Sequence, residues 1–252
     1  MKNMIKYSAS LALGAMVLAL ATTASATTLA QLDGSQGSGS LASGSFTFNN
    51  FTYSNPGGYA PSDSAITVST VNGTNAGGSS NTGVRFSANW TSSSGSVDSI
   101  IGYQAHLAAT NMAINSVYLD FNGATINNTG GNAFATVTET VQDATTGANL
   151  GQLTVYQGNI STGITNISAT TLKLNGNYTD LLLTKDILVT ATPSNTSANP
   201  ATATISFVDN GFNEVNTGGP PPVVPEPASL MLIPLGLIGL AARRKLARPT
   251  VA

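Results

Sequence analysis

The sequence has 252 residues, of which only 8% are charged and none is cysteine. Without cysteine, the chain has neither a disulfide framework nor thiolate ligands for a metal. Residues 27–224 carry three basic and ten acidic side chains, a net charge of −7. This acidic balance excludes a basic surface for nucleic acid or anionic lipid, so we expect no nucleic-acid partner.

The first 26 residues have the three parts of a secretory signal peptide. Two lysines near the start precede an uncharged run at 7–20, and Ala24 and Ala26 supply small residues at a cleavage position. This pattern predicts an N-terminal signal helix that is removed, so that the mature chain begins after Ala26. The alternative is a permanent membrane anchor at this end of the chain.

An alternation of apolar and polar residues, typical of strands, recurs through residues 27–215. In the clearest case Val84, Phe86, Ala88 and Trp90 share one face, which places Trp90 in the core. Similar patterns predict strands at 45–48, 51–53, 65–71, 101–107, 117–121, 133–141, 150–156, 168–174, 181–191 and 203–208. With turn residues between them, these strands predict one all-β domain, an antiparallel β-sandwich of jelly-roll-like form.

Several segments of this domain have the composition of turns or loops. The alternation shifts by one residue across Asn49 and Asn50, so we expect a bulge or a turn there. A loop is predicted at 72–83, and a turn through Asn122-Gly123 is predicted to end the strand before it. Residues 216–224 are rich in glycine and proline and predict a linker.

The C-terminal segment has the composition of a membrane helix followed by a basic tail. Residues 228–242 carry no charge. Such a helix would be roughly 22 Å long, against a hydrocarbon core of about 30 Å. Snorkelling of Arg243 and Arg244 would extend the span, and the positive-inside rule keeps both in the cytoplasm. The alternative, a buried helix of a globular domain, is disfavoured because this segment is apolar on every face.

The features around this segment, taken in order, resemble the PEP-CTERM protein-sorting signal of exported bacterial proteins. The matching residues are Val224, Pro225, Glu226, Pro227, Ser229, Leu230, the run Gly236-Leu237-Ile238-Gly239-Leu240, Arg243 and Arg244. We place the signal at 225–248, with its transmembrane helix at 228–242. The resemblance implies processing near the Pro-Glu-Pro motif by an exosortase, a membrane enzyme that uses a cysteine. It also implies a precursor held in the inner membrane, and then a place at the cell surface or in an extracellular matrix.

Residues suited to catalysis are few. His106 is the one histidine, and alternation places it opposite Ile101 and Tyr103, facing solvent. Glu139 is in phase with the apolar residues of its strand. It is therefore either an inward carboxyl group with a perturbed pKa, or a residue that reaches water at a bulge or strand end. We favour the second interpretation, and we predict no catalytic residue.

Residues suited to metal binding are also few. Two acidic fragments, Asp209-Asn210-Gly211 and Asp120-Phe121-Asn122-Gly123, place oxygen donors beside glycine. Calcium takes such ligands, but ordinary turn chemistry explains both fragments. We therefore predict neither a metal nor a cofactor.

Three hypotheses for the function follow. The first is a non-enzymatic surface or matrix protein that an exosortase processes. The second is a carbohydrate-binding module for exopolysaccharide. For stacking on sugar rings, Tyr118 and Tyr156 are candidates because they lie opposite the apolar faces of their strands and are expected to be exposed; the other candidates are Tyr53, Tyr59 and Tyr103. The third is a polysaccharide hydrolase, which needs two carboxylates across a cleft, with Glu139 as one of them.

Overall fold

A computed structural model describes residues 26–36, 39–74, 80–126, 131–160, 163–192 and 201–218. The predicted signal helix, the linker beyond residue 218, the transmembrane helix and the basic tail lie outside these ranges, apart from Ala26, which is exposed. Within the described ranges, no helix is long and apolar enough to cross a membrane.

The described part of the chain is mostly β-strand. In chain order the strands are β1 (Thr27–Thr28), β2 (Leu41–Ser43), β3 (Phe46–Ser54), β4 (Thr67–Thr74), β5 (Ser80–Ser92), β6 (Gly95–Leu107), β7 (Met112–Ile126), β8 (Asn132–Asp143), β9 (Asn149–Ile160), β10 (Gly163–Ile167), β11 (Ala169–Tyr178), β12 (Asp180–Thr192) and β13 (Thr202–Asn216). A short helix α1 (Leu29–Leu32) follows β1, and a 3-10 turn (Asp63–Ala65) precedes β4.

These strands form two sheets in which every pairing is antiparallel. Sheet 1 has the spatial order β1-β4-β5-β13-β7-β11, and sheet 2 has the order β10-β9-β8-β12-β6-β3-β2. Strand β13 therefore lies in the middle of sheet 1, and β12 lies in the middle of sheet 2. The all-β antiparallel sandwich predicted from the alternation is confirmed, while its jelly-roll-like form stays a prediction.

The two sheets pack face to face over one apolar core. The Phe212 ring on β13 lies 5.4 Å from the ring of Phe46 and 5.6 Å from that of Phe48, both on β3 of the other sheet. Trp90, predicted to be in the core, is fully buried, and its indole N–H donates to the Ser99 hydroxyl at 3.0 Å. The core is thus built by alternate residues of both sheets, as a sandwich requires.

Three expectations about breaks between strands had different outcomes. Strand β3 is continuous, with a register shift between Asn49 and Thr52 and a positive φ of 53° at Asn50, so the bulge is confirmed. The turn at Asn122-Gly123 is wrong, because β7 continues to Ile126 and pairs with β13 across that dipeptide. The loop at 72–83 is also wrong at both ends, which belong to β4 and β5.

Candidate functional site

Four polar side chains lie together inside the sandwich and form what we call the buried cluster. Glu139 comes from β8, Lys185 from β12, Tyr103 from β6 and Asn210 from β13, and each is 0% exposed. Three of them belong to sheet 2 and one to sheet 1. The cluster therefore bridges the two layers at the centre of the core.

Strand register and alternation bring these residues together. Lys185 pairs directly with Glu139 in the β12–β8 ladder, so their side chains leave the sheet on the same face. Lys185 occupies an inward position of β12, in phase with buried Leu183 and Ile187. On the facing sheet, Gly83 lets β5 approach β13 closely, because a Cβ at this position would stand 1.8 Å from the Asn210 carbonyl oxygen.

Hydrogen bonds connect all four side chains through the carboxyl group and the carboxamide. The Lys185 Nζ donates to Glu139 Oε2. Asn210 Nδ2 donates to Glu139 Oε1 at 2.8 Å and to the backbone carbonyl of Tyr118 at 3.1 Å. The Tyr103 hydroxyl donates to Asn210 Oδ1 at 2.7 Å. Burial of this many polar atoms is tolerable because each has a partner.

The surroundings of the cluster are apolar and aromatic. Lys185 Nζ lies 5.5 Å from the centroid of the Tyr103 ring and 6.0 Å from that of Phe86. Burial lowers the pKa of Lys185 well below its ordinary value, and the negative charge of Asp209 acts in the opposite direction. Burial also raises the pKa of Tyr103 well above 10.0, so its hydroxyl keeps its proton and stays a donor. The cluster thus holds an amine, a carboxyl group and a carboxamide away from water.

The preferred interpretation of Glu139, a bulge or strand end that reaches water, is wrong. Glu139 lies in the middle of β8, is fully buried and has both oxygens occupied. Its partner Lys185 was missed by the sequence analysis, although it interrupts an apolar face of β12 in the same way. Two opposite charges on inward positions of two strands were the signal that could have found the pair.

A second ionic group, which we call the outer cluster, lies on the outer face of sheet 1. Arg85 donates from Nε and Nη2 to the two oxygens of Asp209, at 2.6 and 2.5 Å, and its guanidinium lies 4.1 Å from the centroid of the Phe207 ring. Asp120 lies directly opposite Asp209 in the β13–β7 ladder. The hydrogen bonds that Arg85 donates to Asp209 raise the pKa of Arg85, while burial and then the charge of Asp209 raise the pKa of Asp120.

The two acidic fragments considered for calcium lie in β7 and β13 rather than in turns. They are adjacent, yet Asn210 points into the core and Asp209 is engaged by Arg85. Among the described residues, no group of three or more histidine, aspartate or glutamate side chains could hold a metal ion.

His106 lies on the outer face of sheet 2. Its side chain is 44% exposed, and Nδ1 is 2.7 Å from Asp180 Oδ1. Opposite it in the alternation, Ile101 and Tyr103 are fully buried, so the predicted orientation is confirmed.

The tyrosines considered for sugar stacking lie in different environments. Tyr118 is only 8% exposed, so the expected exposure is wrong, and Tyr156 is half-buried. Alternation places them on the outer faces of different sheets, and they cannot form one row. Tyr103 is fully buried and Tyr53 is partly buried, whereas Tyr59 is 81% exposed.

Tyr59 lines an open pocket of about 510 Å³. The other lining residues are small or hydroxyl-bearing, and they are Thr91, Ser92, Ser93, Ser94, Gly95, Ser96 and Val97. The loop that carries Tyr59 is closed by Asn55, whose side chain donates to the Ala60 carbonyl at 3.0 Å. The Tyr53 hydroxyl donates to the Pro61 carbonyl. The exposed ring is therefore presented by a loop that is fixed at its base.

The fold thus defines a β-sandwich whose last strand, β13, ends at Asn216. Residues 223–245 match the PEP-CTERM protein-sorting motif, and this match confirms the resemblance found in the sequence. The match contains Val224, Pro225, Glu226, Pro227, Ser229, Leu230, Arg243 and Arg244, all of which lie outside the described residues. The predicted cleavage residue Ala24 lies outside them as well.

Similarity to other proteins over the whole chain is weak in both sequence and structure. No curated protein matches the chain in sequence. The loop-swap mutant of Xyn11A from Necallimastix patriciarum is 8% identical and aligns over 69% of this chain and 95% of its own, with a TM-score of 0.21. The family 11 xylanase from Neocallimastix patriciarum is 9% identical and aligns over 68% and 95%, also with a TM-score of 0.21. A TM-score this low supports no conclusion about fold or activity.

Proposed function

We propose that this chain is an exported, non-enzymatic surface or extracellular-matrix protein that an exosortase processes at its C-terminus. The observation that carries the proposal is the sorting motif at 223–245, which follows the last strand of the sandwich after a short Gly/Pro-rich linker. The predicted signal peptide at the other end supports export. In this proposal the precursor is anchored in the inner membrane, and the sandwich is the part that reaches the cell surface.

The position of Glu139 supports a non-enzymatic role. A glycosidase acid must reach a bound sugar, and the two carboxyl groups of such a site flank the scissile bond. Glu139 is fully buried, and its oxygens are bonded to Lys185 and Asn210. The hydrolase hypothesis therefore loses its candidate acid.

Replacement of the motif tests the processing step. Alanine at Pro225, Glu226 and Pro227 should abolish processing, and the intact mass of the exported protein should then include the basic tail. The matched control places alanine at the adjacent Pro220, Pro221 and Pro222 and should leave the mature C-terminus as in the wild type. An identical mature C-terminus in the motif variant would overturn the proposal.

A second candidate function is binding of a neutral polysaccharide at the Tyr59 pocket. An 81% exposed aromatic ring beside a shelf of hydroxyl groups offers an apolar face and hydrogen-bond partners together. This pocket replaces Tyr118 and Tyr156 as the favoured stacking position, because Tyr118 is covered, Tyr156 is half-buried and the two lie on different sheets. In an extracellular matrix, such a site would hold the protein to exopolysaccharide.

Affinity electrophoresis through gels that contain a soluble neutral polysaccharide, such as xylan, dextran or a β-glucan, tests this second candidate. Retardation of the wild type by one polymer should be lost in Tyr59→Ala and kept in the control Tyr156→Ala. Retardation that both variants retain equally, or its absence with every polymer, would count against the Tyr59 site.

A further inference from the structure

The buried cluster combines the reactive groups that an amide-exchange reaction needs. Lys185 supplies a primary amine, which is a nucleophile once it has lost its proton. Asn210 supplies a carboxamide, whose carbon is the electrophile. Glu139 supplies a carboxyl group that can accept and return protons. All three are 0% exposed, so water does not compete for the carboxamide.

Hydrogen bonds connect the carboxyl group to both of the reacting side chains. One carboxyl oxygen of Glu139 is bonded to the amine, Lys185 Nζ, and the other lies 2.8 Å from Asn210 Nδ2, the nitrogen that would leave. A single group therefore touches both the nucleophile and the leaving group. The Tyr103 hydroxyl, 2.7 Å from Asn210 Oδ1, donates to the oxygen on which negative charge would develop.

We propose that Lys185 and Asn210 become joined by an intramolecular isopeptide bond, with Glu139 as the proton carrier and Tyr103 as the oxyanion donor. This inference concerns the sandwich alone and goes beyond the sorting function proposed above. The modification happens once per molecule, and so it is compatible with a protein that has no enzymatic turnover.

The reaction balances without an oxidant or a co-reactant. Glu139 takes one proton from the Lys185 ammonium, and the neutral Nζ attacks Asn210 Cγ, so that the Nζ–Cγ bond forms and an electron pair moves onto Oδ1. The carboxyl group then gives its proton to Nδ2 and takes the second proton from Nζ. The carbonyl re-forms, the Cγ–Nδ2 bond breaks, and ammonia leaves. The products are a neutral amide and a neutral carboxyl group, where an ion pair was buried before.

The electrostatic environment of the buried cluster favours formation of the isopeptide bond. Burial lowers the pKa of Lys185, which increases the fraction of neutral amine. The centroids of the Phe86 and Tyr103 rings lie 6.0 and 5.5 Å from Nζ, so the surroundings of the amine are aromatic. Removal of two opposite charges from an apolar interior relieves the desolvation penalty that a buried ion pair carries.

The bond would close the two layers of the sandwich covalently. Lys185 lies on β12 in the middle of sheet 2, and Asn210 lies on β13 in the middle of sheet 1. The chain has no cysteine and cannot make a disulfide. An isopeptide bond between these central strands would give the protein a covalent cross-link that it cannot obtain from a disulfide.

Peptide mapping of the full-length wild-type protein tests the proposal directly. Cleavage of the denatured protein before each aspartate separates residues 180–185 from the peptide that begins at Asp209. If the bond forms, the two peptides travel as one branched species with a mass about 17 Da below the sum of the two, the mass of the ammonia lost. Fragmentation should place the branch at Lys185 and Asn210. Recovery of both peptides separately, at their full masses, would overturn the proposal.

Variants distinguish the roles of the residues. Glu139→Gln keeps both reacting groups but cannot carry a proton, so the fraction that is linked in a fixed time should fall by about 100-fold. Asn210→Ala removes the link entirely, whereas the matched control Asn213→Ala, on the same strand, should keep it. A fully linked Glu139→Gln protein would overturn the role of Glu139. The wild-type peptide map decides the bond itself, even if a variant fails to fold.

Discussion

Two adjacent residues of β13, Asp209 and Asn210, contact two different ion pairs, which differ mainly in their exposure to water. Asp209 points outward and pairs with Arg85, and the two side chains are 16% and 37% exposed. Asn210 points inward to the Lys185–Glu139 pair, whose side chains are both 0% exposed. The same alternation that builds the sandwich thus puts one pair into solvent and the other into the core.

The difference in exposure changes how much each pair contributes to the stability of the fold. In the outer cluster, solvent weakens the attraction and the pair adds little to stability. In the buried cluster the cost of desolvation is large, and it is offset in part because Asn210 donates a hydrogen bond to Glu139 and in turn accepts one from the Tyr103 hydroxyl. The buried cluster also places an amine and a carboxamide in contact with one carboxyl group, whereas the outer cluster has neither an amine nor a carboxamide that could react.

The largest effect is expected where one charge of the buried pair loses its partner. Glu139→Leu leaves Lys185 among aromatic rings, whereas Glu139→Leu combined with Lys185→Met removes both charges. The double variant cannot form the proposed bond because it lacks the amine. The single variant lacks the proton carrier, so its peptide map should show an unlinked protein before the two are compared. We expect the double variant to be more stable by about 3 kcal/mol in denaturant unfolding.

The pH dependence of that difference provides the control. The folded state lowers the pKa of Lys185, so in Glu139→Leu the folded protein binds fewer protons at this group than the unfolded chain. The stability of that variant should therefore rise with pH and approach that of the double variant as pH nears about 10.4, the ordinary lysine value. Equal stability of the two variants at neutral pH would show that Lys185 does not depend on Glu139.

A smaller loss is expected from a single buried hydrogen bond. Ser99→Ala removes the acceptor of the Trp90 indole N–H, and both residues are fully buried or nearly so. An unsatisfied buried donor costs about 1–3 kcal/mol. The control is Ser96→Ala on the same strand, whose hydroxyl contacts Thr190 at 3.0 Å in an exposed position and should change the free energy of unfolding very little. Equal losses in the two variants would contradict this distinction.

The outer pair should respond less, and its response should depend on salt. Arg85→Ala removes both hydrogen bonds to Asp209 and the contact with Phe207. Because the Arg85 side chain is 37% exposed, we expect a loss of about 1 kcal/mol at low ionic strength. Denaturant unfolding in low and high salt should show the loss shrinking as salt rises. A loss that is larger and independent of salt would mean that packing against Phe207, not charge, dominates.

Sequence patterns predicted the faces of the strands well, because a period of two follows from strand geometry alone. Trp90 was assigned to the core, and the phase shift at Asn49-Asn50 located a real bulge. Alternation does not reveal what covers the outer face, so Tyr118 was expected to be exposed and is 8% exposed instead.

The buried cluster was missed because strands that are distant in the sequence must pair before its residues lie together. The Asp209-Asn210-Gly211 fragment has the composition of a turn, but in the fold it lies inside β13, paired with β5 and β7. The pairing of Glu139 with Lys185 is a matter of register between β8 and β12, which local patterns do not determine. The sorting motif, by contrast, is carried by contiguous residues and could be identified directly from the sequence.

The smallest expected effect concerns Asp120, the outer carboxyl group next to Asp209. Burial and the charge of Asp209 raise the pKa of Asp120, so between the unfolded value of about 3.9 and the raised folded value the folded protein binds more protons than the unfolded chain. The contribution of Asp120 to stability is therefore greatest at low pH and is lost as pH rises through its folded pKa. Asp120→Asn removes this loss of stability, because the variant has no charge opposite Asp209 and like charges opposite each other in a sheet are destabilising. At neutral pH the free energy of unfolding of the variant should therefore exceed that of the wild type by a few tenths of a kcal/mol. The free energy of unfolding should be measured for both proteins from acid to neutral pH, and the advantage of the variant should grow as the pH rises. A variant that is already more stable by the full amount in acid would show that the charge of Asp120 does not cause the difference.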